Sequence, residues 1–292
     1  MRFVKGHGTE NDFVLLLDPE REIDLTPQLV AALCDRRSGV GADGVLRVVL
    51  TVVDPEGAPM SDEARWFMDY RNADGSVAEM CGNGLRVFAR YLVDQHLEPA
   101  GSVRIATRAG VLTTRLAMLG DVTVDLGPYG LPDLGALEVH IDQHTWPAYA
   151  VTMPNPHAVA MVENLAHAGD LAAPPAVLPV QAYPDGVNVE LVTQVGPHHL
   201  GMRVHERGVG ETRSCGTGAG AAAVAAALSA GELSPEDPPA DPLTYRVDAP
   251  GGRLSVTVRP DGGVDLAGPA VLVASGVLEG EWLQALTERA TD

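Results

Sequence analysis

The chain has 292 residues, a length that suits two domains of about 150 residues each, and a formal net charge of −19. This charge argues against nucleic acids and anionic membranes as partners, since both require a basic surface. A mean hydropathy of +0.05, the lack of a long apolar run and an N-terminus without a secretory pattern predict a soluble cytoplasmic protein. The three cysteines include no C-x-x-C pair, so we expect free thiols and no metal site.

Lys5 is the only lysine in the sequence. Pyridoxal phosphate needs a lysine for its Schiff base, and nothing in the sequence around Lys5 resembles a cofactor site. We therefore expect an enzyme that works without pyridoxal phosphate, and the sequence indicates no other cofactor.

The first part of the chain predicts a series of short elements. Pro27 suits the first turn of a helix, and Cys34 in the same helix has the apolar neighbours of a buried packing residue. In chain order the predicted elements are a strand broken by a polar turn (residues 5–18), a helix (26–36), a glycine turn into a strand (39–50) and another strand (64–69).

Two later stretches place a cysteine and two glycines at the start of a helix. Residues 76–93 put Cys81 before Gly-Asn-Gly, and residues 203–228 put Cys215 before Gly-Thr-Gly and a run of alanines. A helix that is apolar on every side is buried, so the alanine helix is expected inside a domain. The N-terminal end of such a helix attracts anions and is expected to lower the pKa of a thiol placed there.

The sequence also contains an internal duplication. Residues 103–127 and 246–269 fall into register as a hairpin followed by one more strand. Asn72 precedes Cys81 by the same interval that separates Glu206 from Cys215. We therefore predict two similar α/β halves, residues 1–127 and 128–276, each strand-rich around a central helix, with the tail 277–292 packing on the first. A pseudo-twofold axis between the halves would let the two thiols face each other across a shared cleft.

Two thiols on one carbon suit a stereoinversion by two bases. One sulfur, as a thiolate, removes a proton, and the other, as a thiol, returns one to the opposite face. Backbone N–H groups at the helix starts would stabilise the charge that develops on a substrate carboxylate. These groups belong to Gly82, Asn83, Gly216 and Thr217.

The sequence resembles the diaminopimelate epimerases. The resemblance covers residues 5 to about 226 and rests on the stretches KGHGTENDFV, RNADGSVAEMCGNGLRVFARYL, NPHAV, YPDGVNVELV and RVHERGVGETRSCGTGAGAAAVA. It implies a fold of two pseudo-symmetric domains, each a barrel-like sheet around a central helix. It further implies a homodimer that epimerises LL-diaminopimelate to the meso isomer for lysine and peptidoglycan precursors.

The resemblance also assigns roles to residues. Cys81 and Cys215 are the acid/base pair, and His157 and Glu206 set the protonation of the thiols. Arg207 suits the distal carboxylate because its planar fork binds bidentately. The substrate-binding positions are Asn11, Asn72, Gly82, Asn83, Asn155, Asn188, Glu206, Arg207, Gly216 and Thr217.

The sequence departs locally from the pattern of these enzymes. Gly6, Thr9 and Glu10 stand where Met, Leu and Gly are usual, Pro154 replaces a glycine, and Gly44 replaces a glutamine found in some relatives. These positions bear on substrate affinity. His205, outside the pattern of site residues, is expected on the surface.

Four alternatives remain from the sequence alone. A proline or hydroxyproline racemase also uses two thiols, but the ERG and GET block and the asparagines favour a substrate with a second amino-acid end. An isomerase of the same fold that uses no thiol would leave both cysteines without a role. A cysteine hydrolase using Cys215 and His157 would leave Cys81 unexplained. A non-catalytic carboxylate-binding protein would tolerate serine at both cysteines.

Overall fold

The computed structural model describes residues 1–153 and 155–289, without the side chains of residues 287–289. Pro154 and residues 290–292, the end of the predicted tail, lie outside the described residues. The helices are α1 (Pro27–Cys34), α2 (Gly82–Asp94), α3 (Gly216–Ser229) and α4 (Gly280–Arg289). None of the described helices has the length and apolar character needed to span a lipid bilayer.

The strands are short and account for most of the regular structure. They are β1 (Arg2–Gly8), β2 (Asn11–Leu17), β3 (Gly44–Leu50), β4 (Trp66–Asn72), β5 (Gly101–Thr107), β6 (Gly110–Leu116), β7 (Val122–Pro128), β8 (Leu137–Ile141), β9 (His144–Thr152), β10 (Pro156–Met161), β11 (Ala176–Leu178), β12 (Asn188–Gly196), β13 (His199–Glu206), β14 (Gly210–Thr212), β15 (Leu243–Ala249), β16 (Gly252–Val258), β17 (Gly263–Gly268) and β18 (Val271–Val277).

The chain divides into two compact units. The first contains Met1–Val124 and the described residues from Pro269 onward, and the second is Asp125–Gly268. Trp282 of α4 and Leu278 pack against an apolar cluster of the first unit that includes Cys34. The division at residues 127/128 and 276/277 stays a prediction.

In the first unit, the strands follow the order β18-β1-β2-β3-β4-β5-β6-β7. Strand β1 pairs antiparallel with β18 and β2. Strands β2 and β3 run parallel, β3 and β4 antiparallel, and β4 and β5 parallel. Two antiparallel pairings, β5 with β6 and β6 with β7, complete the series.

In the second unit, the same series recurs as β8-β9-β10-β12-β13-β15-β16-β17. Strand β9 pairs antiparallel with β8 and β10. Strands β10 and β12 run parallel, β12 and β13 antiparallel, and β13 and β15 parallel. The antiparallel pairs β15–β16 and β16–β17 follow. Both units thus share one order and one set of strand directions, in agreement with the predicted duplication.

Each unit is built around one helix. Helix α2 contacts strands β1, β2, β3, β4, β6 and β18, and helix α3 contacts β9, β10, β12, β13, β15, β16 and β17. In α3 every residue from Gly216 to Ala227 is buried, as the apolar alanine run predicts. The predicted fold class, a strand-rich α/β fold of two similar domains with central helices, is confirmed.

The first predicted elements are confirmed with small changes at their ends. The polar turn between β1 and β2 is formed by Thr9 and Glu10, both in the left-handed region with φ of 49° and 62°. Helix α1 starts at Pro27, one residue after the predicted start, and ends two residues early, at Cys34. Asp35 ends it, because its carboxylate accepts hydrogen bonds from the backbone N–H groups of Arg37 and Ser38.

Candidate functional site

Cys81 and Cys215 occupy the same position in the two units, the N-cap of the central helix. The sulfur of Cys81 accepts the backbone N–H of Gly84 at 3.4 Å, and the sulfur of Cys215 accepts that of Gly218 at 3.3 Å. Both cysteines have extended backbones and lead directly into the first helical turn. Each sulfur therefore lies at the positive end of a helix, in the role that a serine or aspartate oxygen usually has.

In the first unit, Asn11 joins the thiol to the helix. Its side-chain oxygen accepts the thiol of Cys81 at 3.4 Å and the amide of Asn83 at 3.3 Å. Its amide nitrogen donates to Asp43 at 2.8 Å. A carboxylate can only accept, so this last contact turns the amide oxygen of Asn11 toward Cys81. The predicted residues Asn11, Cys81 and Asn83 thus form one contact group.

Asn72 lies at the end of β4, in the turn that precedes Cys81. Its backbone N–H donates to the carbonyl of Ser76 at 2.9 Å, and its side-chain amide donates to the Ser76 hydroxyl at 3.0 Å. The half-buried Asn72 is therefore held by its own turn. The predicted residues Gly82 and Asn83 lie after it, in the first turn of α2, and both are buried.

In the second unit, Glu206 and Thr217 surround Cys215. The thiol lies 3.5 Å from the Thr217 hydroxyl and hydrogen-bonds to the Glu206 carboxylate. Glu206 also accepts a short hydrogen bond from the hydroxyl of Thr212. Burial raises the pKa of Glu206, and these two hydrogen bonds only partly offset the effect.

The prediction that the helix end lowers the thiol pKa is wrong for Cys215. Burial raises the pKa of this thiol well above its ordinary value, and the carboxylates of Glu206 and Glu190 raise it further. Hydrogen bonds from Thr217 and from the backbone of Gly218 act in the opposite direction. A helix end contributes only about 0.3–1 kcal/mol, which desolvation and two nearby carboxylates exceed.

His157 is fully buried on β10, beside β12. Its Nδ1 lies 2.7 Å from Oε1 of Glu190, and its Nε2 lies 3.0 Å from the side-chain oxygen of Asn155. His157 and Asn155, both predicted, are therefore in contact. Sequence reasoning missed Glu190, although an ionisable residue within the apolar run VNVELV was a signal.

Asn188 and Arg207 are joined through the backbone. The side-chain oxygen of the buried Asn188 accepts the N–H of Arg207 at 2.8 Å. The guanidinium of Arg207 is exposed, and its Nη1 lies 3.4 Å from the carbonyl of Asp185. Asn188 thus fixes the backbone from which Arg207 projects.

The expectation that His205 lies on the surface is wrong. Its side chain is buried, and Nδ1 lies 3.0 Å from the carbonyl oxygen of Leu171. His205 is adjacent to Glu206 on β13, so the alternation of the strand turns the two side chains to opposite faces.

The described residues contain no group of three His, Cys, Asp or Glu side chains that could hold a metal ion. Lys5, the only lysine, forms a 2.6 Å salt bridge with Asp12 and donates to the carbonyl of Gly41. The ammonium group of Lys5 is therefore engaged in holding β1 to its neighbours.

Comparison with known proteins agrees with this arrangement. Residues 3–131 and 149–273 match the family model described as diaminopimelate epimerase. The chain belongs to the diaminopimelate epimerase family. A diaminopimelate epimerase of Streptomyces coelicolor is 58% identical to it over 97% of both chains. One of Thermobifida fusca is 48% identical over 94% of this chain and 97% of the relative.

More distant solved structures share the fold. A phenazine biosynthesis protein of the PhzF family from Bacillus anthracis has a TM-score of 0.71 at 17% identity and covers 96% of this chain and 99% of its own. A hydroxyproline epimerase from Agrobacterium vitis has a TM-score of 0.64 at 16% identity and covers 98% of both chains. Identities this low show the epimerase fold alone.

The structure bears on three departures from the usual diaminopimelate epimerase pattern. A Cβ at Gly44 would lie 2.5 Å from the carbonyl oxygen of Arg71 and 2.7 Å from the ring of Tyr70, so this backbone admits no glutamine there. Glu10 has a φ of 62°, a conformation that favours the family's usual glycine. Gly6 is packed closely, since a Cβ there would lie 2.9 Å from Val87.

Proposed function

We propose that this chain epimerises LL-2,6-diaminopimelate to meso-2,6-diaminopimelate without pyridoxal phosphate. One observation carries the proposal: the two units repeat the same strand order, and each caps its central helix with a cysteine whose sulfur accepts the N–H three residues on. A single-nucleophile enzyme has no use for the second cysteine. Membership of the diaminopimelate epimerase family supports the same substrate.

In the proposed reaction, one cysteine acts as a thiolate and removes the α-proton of the substrate. The electron pair left on carbon spreads into the α-carboxylate, and the second cysteine donates its S–H proton to the opposite face. The first cysteine ends as a thiol and the second as a thiolate, so the enzyme is ready for the reverse direction. That both thiols reach one carbon stays a prediction from the duplicated sequence.

The charge that develops on the substrate carboxylate needs stabilisation. We assign this role to the backbone N–H groups of Gly82, Asn83, Gly216 and Thr217, which lie in the first turns of α2 and α3. Donors fixed in advance at a helix N-terminus need no reorganisation when the charge appears.

The remaining predicted residues divide into two roles. His157 and Glu206 adjust the protonation of the thiols, in keeping with the hydrogen bond between Glu206 and Cys215. Arg207, exposed and held by Asn188, binds the distal carboxylate. The distal amino and carboxylate groups are further bound by Asn11, Asn72, Asn155 and Asn188.

We further propose that the enzyme works in the cytoplasm as a homodimer, on a pathway to lysine and peptidoglycan precursors. The net charge of −19 argues against nucleic-acid and membrane partners. Strand β18 exposes Val271, Val273 and Val277, an apolar row that supports a contact between two copies. Sedimentation should give a dimer for the native chain and a monomer for Val273→Asp; a native monomer would contradict the dimer.

The proposed reaction is tested by hydrogen exchange. Purified protein in D2O, without added cofactor, should incorporate deuterium at the α-carbon of LL-diaminopimelate and produce the meso isomer, whereas proline should remain unchanged. Mass spectrometry measures the label, and chiral chromatography separates the isomers.

Single cysteine variants test the two-base mechanism. Cys81→Ala and Cys215→Ala should each abolish interconversion, because either change leaves only one proton-transfer group. Cys34→Ala is the matched control, since Cys34 is buried among apolar residues of the first unit and should be dispensable. Full activity of Cys81→Ala would exclude the mechanism. Turnover of proline but not of diaminopimelate would show that the proposed substrate is wrong.

A further inference from the structure

Glu190 is a buried carboxylate to which the proposed reaction gives no role. It lies on β12, opposite Val204 of β13 and beside Val159 of β10, and its side chain is fully buried. Asn188 lies two residues earlier, so the two side chains share one face of the strand. A Cβ at Gly218 would lie only 2.6 Å from Oε1 of Glu190, which places this carboxylate at the start of the Cys215 helix.

The contacts of Glu190 are few and specific. Oε1 lies 2.7 Å from Nδ1 of His157, whereas Oε2 is buried without a hydrogen-bond partner in the described part of the chain. A buried carboxylate is costly unless a cation or several donors offset its charge. Here the His157 ring is the group in position to do so, and it offsets the charge only when it carries both ring protons.

The other side of the ring leads to the same protonation state. Nε2 lies 3.0 Å from the side-chain oxygen of Asn155, and an oxygen can only accept. With a carboxylate oxygen at Nδ1 and an amide oxygen at Nε2, the arrangement suits a ring that carries a hydrogen on both nitrogens. The ionisable groups around the ring are Glu190 on β12, Glu206 on β13, Cys215 at the start of α3, and Tyr183, whose hydroxyl donates to the His157 carbonyl.

We propose that Glu190 is a positioning residue of the Cys215 half of the site, which fixes the His157 ring and keeps it in its doubly protonated form. The imidazolium then offsets part of the negative charge that Glu206 carries and that Cys215 acquires as a thiolate. Without Glu190 the ring would lose both its orientation and the partner of its charge. The meaning for turnover rests on the proposed function, but the protonation of the ring does not.

Nitrogen-15 NMR of histidine-labelled protein tests the proposal directly. At about pH 8, where an ordinary histidine is neutral, the native His157 ring should show two protonated nitrogens, and the Glu190→Gln ring only one. The signal is assigned by its loss in His157→Gln. Glutamine keeps the size and one acceptor oxygen of glutamate, so the variant removes charge with little change in packing.

The surface pair of His198 and Glu232 supplies a matched control. Nε2 of His198 lies 2.9 Å from Oε1 of Glu232, and both side chains are partly exposed. Glu232→Gln should therefore leave the His157 signal and the activity unchanged. A native His157 ring that carries one proton at this pH would overturn the proposal, and this result does not depend on whether Glu190→Gln folds.

Kinetics provide a second measurement. In Glu190→Gln, kcat should fall about ten- to a hundredfold with KM within about twofold, because Glu190 acts through His157 rather than on the substrate. An unchanged kcat, or a loss confined to KM, would contradict the positioning role. If diaminopimelate is not the substrate, the native chain and every variant will show no activity in the kinetic assay. The NMR measurement still decides the role of Glu190 in that case.

Discussion

Alanine substitution at Gly84 and at Gly218, the third residue after each site cysteine, compares the packing around the two helix starts. Gly84 and Gly218 occupy equivalent positions, and the N–H of each donates to the cysteine sulfur. Alanine keeps that N–H and adds one methyl group. Any difference between Gly84→Ala and Gly218→Ala therefore reports what the methyl group meets.

The surroundings of the two methyl groups differ sharply. A Cβ at Gly84 would lie 3.4 Å from Leu46 and from Phe13, which is ordinary van der Waals contact. At Gly218 it would lie 2.6 Å from Oε1 of Glu190. Glu190 cannot easily move aside, since it is fully buried and its Oε1 lies 2.7 Å from Nδ1 of His157.

These distances set the expected magnitudes. Replacing a helical glycine with alanine stabilises by about 0.5–1 kcal/mol, and this gain should appear at Gly84. At Gly218 overpacking costs about 1–3 kcal/mol, so after that gain is subtracted the net effect lies between about zero and a loss of about 2.5 kcal/mol, with a fall of up to a few degrees in Tm. The displaced Glu190 should also lower kcat at least about tenfold.

Thermal unfolding and the epimerisation assay measure both effects on the same preparations. We expect Gly84→Ala to be as stable as the native chain or more so, and to keep most of its activity. If Gly218→Ala matched it in Tm and in kcat, the close packing of Glu190 against the Cys215 helix would be refuted.

Three further predictions concern charge and backbone strain. Burial and two carboxylates raise the pKa of Cys215, so its alkylation by iodoacetamide should stay slow at neutral pH and rise only above about pH 8.5. Fast alkylation at neutral pH would contradict the raised pKa. The stability linked to this thiol is present below about pH 8.5 and should be lost as the pH rises through the pKa of the folded state. Burial alone would raise the pKa of Asp69, but hydrogen bonds from Arg71, Arg108 and Arg47 lower it to about 2, so its contribution to stability should be lost as the pH falls from about 4 toward 2. Asp69→Asn should lower the free energy of unfolding by about 3–5 kcal/mol in urea titrations, because it removes the buried carboxylate that pairs with Arg47, Arg71 and Arg108, and a change below about 1 kcal/mol would argue against this. Glu10→Gly should raise the free energy of unfolding by about 1 kcal/mol by removing the left-handed strain at φ 62°, and a lower Tm would count against strain there.

Most of the fold could be predicted because the duplication is visible in the sequence. The hairpins of residues 103–127 and 246–269, the alanine helix and the two helix-capping cysteines all follow from local patterns. These patterns depend on neighbours in the chain, which the sequence lists directly. The family resemblance then supplied the site residues, including Asn155 and His157, which the structure places in contact.

What could not be predicted depends on contacts between distant strands. The pairing of Glu190 with His157 follows from the parallel register of β10 and β12, and the buried His205 contacts the carbonyl of Leu171. Local patterns reveal neither. The pKa of Cys215 was mispredicted for the same reason. The helix start is visible in the sequence, whereas the depth of burial and the approach of Glu206 and Glu190 are not.

The pairing of β1 with β18 has a consequence for synthesis of the protein. Strand β18 joins the first unit only after the ribosome has made all of Asp125–Gly268. The second unit, by contrast, is one continuous segment. The half whose synthesis begins first therefore completes its sheet last, and until then β1 has an unpaired edge that is open to strands of other chains.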